Sequence, residues 1–214
     1  MDFDLVIFDC DGVLVDSEPL ANRELQRALA DCGLALSLDQ VVGHFVGLSM
    51  KSVLSKAARM LGNPLPADFL EKLQQRTFAV FREELKPVNG VRDVLSALAA
   101  RKQRICVASS GDFEKINLTL GLTGLKDFFG PNIFSSSQVS RGKPYPDLYL
   151  YAAGQMDADP ARCLVIEDSV PGVQGAVAAG MEVLAYSATG EGRPLAIAGG
   201  MVISHLHDVL EYLQ

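Results

Sequence analysis

Three short apolar runs constrain this chain most. Leu5-Val6-Ile7-Phe8, Ile105-Cys106-Val107-Ala108 and Cys163-Leu164-Val165-Ile166 carry no polar residue at alternate positions. A strand with one wet face alternates; a strand covered on both faces does not, so the three runs read as buried strands of a parallel sheet. Each then meets polar residues: Asp9-Cys10-Asp11-Gly12, Ser109-Ser110-Gly111 and Glu167-Asp168-Ser169. Strand side chains alternate, so Asp9 and Asp11 point the same way if the extended conformation persists, at the carboxyl end where open α/β sheets place their ligands. Two such charges repel unless a cation or a shared proton intervenes, and Mg²⁺ is the simplest remedy. An acidic turn, with Asp11-Gly12 as the turn itself, accounts for the same residues equally well.

From residue 88 onward helices and strands alternate. Helices are expected over 91–100, 114–120, 147–155 and 173–179, and strands over 105–109, 133–134, 163–166, 182–186 and 200–203, with a last helix over 206–213. This order implies right-handed crossovers and a parallel, Rossmann-like α/β core. Between residues 16 and 86 the pattern holds helices only. Leu20, Leu25, Ala28 and Leu29 form one stripe, Val53, Leu54, Ala57 and Leu61 another, and Phe69, Leu70, Leu73, Phe78 and Phe81 a third. Ser17, Ser37 and Ser49 suit N-caps. Residues 1–15 and 87–214 are thus expected to form the α/β domain, and 16–86 an inserted helical domain. Leu14-Val15-Asp16 and Pro87 are the expected hinge.

The chain has 214 residues and a formal net charge of −7, which argues against general nucleic-acid binding. An anionic ligand would need local cations, not a positive overall field. The cysteines, at positions 10, 32, 106 and 163, show no metal or disulfide spacing and fit a reducing compartment; Cys10, Cys106 and Cys163, in or beside apolar strands, read as packing residues. The acidic start (Asp2, Asp4) is unlike a signal peptide, and no run is long enough for a membrane span. These features fit a cytoplasmic protein, and nothing in them demands more than a monomer.

In order along the chain, FDCDGVLVDSE, VASSG, GKPYPD and VIEDSVPG resemble the four motifs of the haloacid dehalogenase superfamily of phosphotransferases, closest to its branch of sugar-phosphate phosphatases and β-phosphoglucomutases. The resemblance spans nearly the whole chain. It implies Asp9 as nucleophile forming an aspartyl-phosphate and Asp11 as general acid and base. It implies Mg²⁺ held by Asp9, the main chain of Asp11 and Asp168, with Glu167 in support directly or through water. Ser109, Ser110 and Lys143 would bind the transferring phosphoryl group. Glu167-Asp168 and Ser169 also suit a helix cap, and Arg141 a surface role.

The helical insertion corresponds to the family's cap domain, which closes over the leaving group. Gly47 and Ser49 resemble its substrate-specificity loop, although a turn glycine and a helix cap explain them as well. Glu18 and Asn22 are further candidates for contact with substrate. The expected function is Mg²⁺-dependent hydrolysis of a small phosphomonoester, a sugar phosphate by preference. A sugar-phosphate mutase is the alternative; Ala21 and Met50 stand where that chemistry carries basic residues. A non-enzymatic receiver module fits less well, because its phosphorylated aspartate follows an interior strand of the chain order and it lacks a helical insertion.

Overall fold

A computed structural model describes residues 3–188, 190 and 192–213. It separates into two compact units: residues up to Asp16 together with those from Lys86 onward, and Ser17–Leu85.

The first unit holds six parallel strands: β1 (Leu5–Phe8), β2 (Arg104–Ser109), β3 (Ile133–Ser135), β4 (Cys163–Glu167), β5 (Glu182–Tyr186) and β6 (Met201–Ile203). Their spatial order is β3-β2-β1-β4-β5-β6. β1 lies at the centre, with Phe8 opposite Val107 on one side and Ile166 on the other. Its apolar residues are all fully buried because both faces are covered. Leu5 and Ile7 pack into a core with Leu148, Tyr149 and Ala152 of α8 (Asp147–Gln155) and Val173 and Ala176 of α9 (Val170–Ala178). Phe8 faces the other way and meets Phe129, at the end of α7 (Lys126–Phe129), edge to face at 6.1 Å. The same unit contains α5 (Val91–Ala100), α6 (Phe113–Leu122), α10 (Arg193–Ile197) and α11 (Asp208–Tyr212). The short α7 and α10 and the 3₁₀ turns Ser136–Gln138 and Pro160–Arg162 have no counterpart in the sequence reading. The helix expected to begin at 173 starts three residues earlier, because Ser169 caps it.

The second unit is α1 (Glu18–Asp31), α2 (Leu38–Phe45), α3 (Met50–Leu61) and α4 (Phe69–Glu84). Leu25, Leu29, Val41, Phe45, Val53 and Phe69 are among the residues of its own core. Phe78 and Phe81 are buried and stacked. Ser37 closes a capping box with Gln40, and Ser49 caps α3. Ser17 departs from expectation: it precedes α1 with helical backbone angles and makes no side-chain cap bond. Where the chain leaves and re-enters the first unit, Val15 bridges Pro87 antiparallel, and Asp16 N–H donates to the Lys86 carbonyl at 3.0 Å.

Candidate active site

The register brings three strand ends to one level. Asp9 follows β1 directly and stays in the ladder, its N–H donating to the Ile166 carbonyl at 2.9 Å. Ser109 closes β2 and Glu167 closes β4, the two neighbours of β1. The chain order reverses direction between β1 and β4, and this is the crevice where doubly wound sheets bind ligands.

Asp9, Lys143 and Glu167 form a buried ionic triad. Lys143 Nζ donates to Asp9 Oδ1 at 2.5 Å and to Glu167 Oε1 at 2.6 Å, and the lysine side chain is only 4% exposed. The Lys143 ammonium also lies 5.1 Å from the centre of the Tyr149 ring. Burial pushes the Asp9 carboxyl upward against the pull of Lys143, and the Glu167 and Asp11 carboxylates push in the same direction as burial. For Lys143, burial opposes the charge, but Asp9 and Glu167 hold its pKa well above the ordinary lysine range.

Glu167 is fully buried, and both its oxygens are engaged. Oε1 accepts from Lys143 and from the Tyr149 hydroxyl at 3.1 Å. Oε2 accepts from the N–H groups of Asp168 and Ser169 and from the Ser169 hydroxyl, at 2.8, 2.7 and 2.9 Å. A charge this deep needs such partners. The sequence reading gives Glu167 a supporting part at a metal, directly or through water; in the structure its oxygens contact Lys143, Tyr149 and the turn before α9. Ser169, whose hydroxyl accepts from Gly172 N–H at 3.1 Å, supplies the cap. Gly172 makes room for the carboxylate: a Cβ there would stand 1.7 Å from Glu167 Oε1.

Asp168 lies over the turn that follows β1. Gly12 has φ +78°, and a Cβ on it would fall 1.8 Å from Asp168 Oδ2. Asp11 accepts from Lys115 Nζ at 2.8 Å. Burial works against the Lys115 charge, but Asp11 holds its pKa above the usual value. Cys10 between the two aspartates is buried, its Sγ 3.7 Å from Thr119 Oγ1, a packing position.

Ser109 Oγ is buried and accepts from Gly111 N–H at 3.1 Å, which leaves its own proton to donate. The following loop is tied from β3: the Ser135 hydroxyl donates to the Gly111 carbonyl at 2.6 Å, and Ser136 to the Ser110 carbonyl at 2.8 Å. Ser110 itself is exposed. Arg141 makes a bidentate pair with Asp147 at 2.7 and 3.1 Å and stacks on Tyr145, a surface arrangement.

The remaining candidates belong to the helical unit. Glu18 opens α1 and is exposed, and Asn22 lies half-buried one turn on. Gly47 has φ +78° in the loop before α3. Ser49 accepts from Ser52 N–H at 3.2 Å, so its role as a helix cap is accounted for. Lys115, Tyr149, Ser135 and Ser136 were not singled out from sequence. For Lys115 the available signal was a lysine in the first turn of the helix that follows the Ser109 loop.

A carboxylate set at the switch point of a doubly wound sheet and braced by a buried lysine lies where such sheets bind their ligands. The profile of haloacid dehalogenase-like hydrolases matches residues 3–180. A 6-phosphogluconate phosphatase of Escherichia coli K12 is 30% identical over 207 residues, 96% of this chain and 92% of its own. Hexitol phosphatase B of the same organism is 28% identical over 184 residues, 85% of this chain and 82% of its own. Among solved structures, a HAD family hydrolase from Deinococcus radiodurans with bound phosphate and sodium superposes with a TM-score of 0.80 at 35% identity. That match covers 98% of this chain and 93% of the other. The chain belongs to the haloacid dehalogenase-like hydrolases.

Proposed function

We propose that this enzyme hydrolyses small phosphomonoesters, sugar phosphates foremost, with Mg²⁺ and through an aspartyl-phosphate on Asp9. The observation that carries the reading is the triad: a buried carboxylate at the switch point, fixed by a lysine that a second buried carboxylate holds in place. Two similar proteins are phosphatases of a sugar-acid phosphate and of hexitol phosphates by name, and a similar structure binds phosphate.

The chemistry divides hydrolysis into two displacements. An Asp9 oxygen attacks phosphorus as the bond to the ester oxygen breaks, and Asp11 gives that oxygen its proton. Water then attacks phosphorus, Asp11 takes a proton from it, and the Asp9 carboxylate leaves. Lys143 and the Ser109 hydroxyl stabilise charge on the transferring group, which is most of what a protein contributes to phosphoryl transfer.

Asp9, Asp168 and the Asp11 main-chain carbonyl would be the donors for a cation, with Glu167, whose oxygens already hold protein donors, in support through water. Among the described residues no cluster of three or more His, Cys, Asp or Glu is arranged as a metal cage. A hard-oxygen set of two carboxylates and a carbonyl suits Mg²⁺, which keeps several waters. When bound, the ion would neutralise phosphoryl oxygens. Ala21 and Met50, where the mutase chemistry carries basic groups, favour hydrolysis.

Phosphate release from a panel of sugar, sugar-acid and glycolate phosphates tests the proposal, with Asp9→Asn as the blank. Release with Mg²⁺ that is lost in EDTA and absent from a folded Asp9→Asn preparation is the expected result. Equal release from a deamidation-free Asp9→Asn sample would remove Asp9 as nucleophile, and full activity after rigorous metal stripping would remove the ion.

A further inference from the structure

We infer that Lys115 is a positioning residue for the acid–base step: it donates to Asp11 Oδ2, so that Oδ1 carries the proton given to the ester oxygen and then takes one back from the attacking water. The inference rests on the phosphatase reading of Asp11. Its physical basis is the Lys115 Nζ–Asp11 Oδ2 contact at 2.8 Å between groups 104 positions apart in sequence. The side chains are 30% and 24% exposed, so the pair is neither a surface ion pair nor a sealed one. Pairs at the surface hold geometry weakly, whereas partial burial strengthens the attraction and leaves the carboxylate reachable from solvent.

The lysine is itself held. It lies in the first turn of α6, and its N–H donates at 2.8 Å to Asp112 Oδ1, the N-cap of that helix. The Asp112 cap follows Ser109-Ser110-Gly111 without a gap, and that loop is tied to Ser135 and Ser136. The base of the Lys115 side chain is thus fixed by the same local structure that presents Ser109 to a phosphoryl group. Asp11 sits on a turn beyond β1, outside the ladder that fixes Asp9, so its carboxylate gains its orientation from a side-chain partner. The two aspartates consequently have separate lysines. Lys143 serves Asp9 and Glu167, and Lys115 serves Asp11.

A double-mutant cycle tests this with Lys115→Met, Lys115→Arg, Asp11→Asn and Lys115→Met/Asp11→Asn, each checked for a native circular dichroism spectrum and melting transition. The probes are the best sugar phosphate from the panel, whose alkoxide is a poor leaving group, and p-nitrophenyl phosphate, a good one. Misplacing a proton-transfer group costs on the order of tenfold to a hundredfold. Lys115→Met is expected to lower kcat/KM by about that factor on the sugar phosphate and much less on the aryl phosphate. Lys115→Arg is expected to recover most of the loss. In the Asp11→Asn background, Lys115→Met is expected to have almost no further effect, because coupled residues are not additive. Fully additive losses, or equal losses on both substrates, would overturn the inference. So would a rise in KM at unchanged kcat, which would mark Lys115 as a substrate contact. If Asp11→Asn alone leaves the sugar-phosphate rate intact, the acid–base reading fails. If Asp11→Asn is crippled and Lys115→Met is not, only the positioning role fails.

Discussion

Glu167 is a buried side chain whose two oxygens are both taken up by neighbouring donors. Its five donors hold Lys143 on one oxygen and the turn before α9 on the other. Glu167→Gln keeps the shape, but one end becomes an NH₂. Whichever way the amide turns, that NH₂ faces donors: Lys143 and Tyr149, or the Asp168 and Ser169 N–H groups. Breaking one partner of a buried ion pair costs about 3–5 kcal/mol, so urea unfolding of Glu167→Gln should show a loss of about 3 kcal/mol, with turnover also reduced as Lys143 loses its brace. A midpoint matching the parent protein would show that Glu167 carries no such burden. The residues readable in the sequence were those at strand ends, Asp9, Asp11, Ser109, Glu167 and Asp168, which stand beside apolar runs; Lys143, in a loop punctuated by Gly142 and Pro144, stood out through the family resemblance. What strand ends do not convey is how many donors a carboxylate meets after folding. Lys115 and Tyr149 were hidden for a related reason, since each acts from a helix whose approach to the sheet is a tertiary fact.

At the scale of elements, the start of α9 is the tightest joint. Glu167, Ser169 and Gly172 fit together only because the last has no side chain, and the carboxylate that a Cβ would strike is pinned by its donors. Alanine would favour the helix by up to about 1 kcal/mol. Against this, overpacking at a site that cannot yield costs about 1–3 kcal/mol. Gly172→Ala is therefore expected to lower the melting temperature by several degrees and to depress activity through Glu167 and Lys143. A variant as stable and active as the parent would mean that the turn relaxes freely. The long helices and the buried strands were legible because their apolar periodicity runs for several residues. α7, α10 and the two 3₁₀ turns, three to five residues each, are too short to show any period. α9 begins at Val170 rather than 173, with the Ser169 cap that its sequence suits and Pro171 in the first turn, where proline is at home.

At the scale of the whole chain, alternation of strand and helix announced a parallel sheet, but not the order β3-β2-β1-β4-β5-β6. Which side of β1 receives β4 depends on packing between segments far apart in sequence. The fully apolar Leu5–Phe8 run indicated only that β1 is interior. The two units each carry their own core, and the first closes on itself where the second departs. Val15 bridges Pro87, and Asp16 and Lys86 are joined by a main-chain hydrogen bond at 3.0 Å. Two antiparallel ends this close can be joined by a two-residue Asn-Gly turn. A chain running Asp16-Asn-Gly-Lys86, lacking residues 17–85, should then fold as the α/β unit alone, with one cooperative thermal transition and mixed α/β circular dichroism. Its Asp9–Lys143–Glu167 triad lies wholly within the retained residues, so Glu167→Gln should destabilise the shortened chain as much as the full one. An unfolded or aggregated product, or a Glu167→Gln effect confined to the full-length protein, would show that the helical unit contributes to holding the triad together.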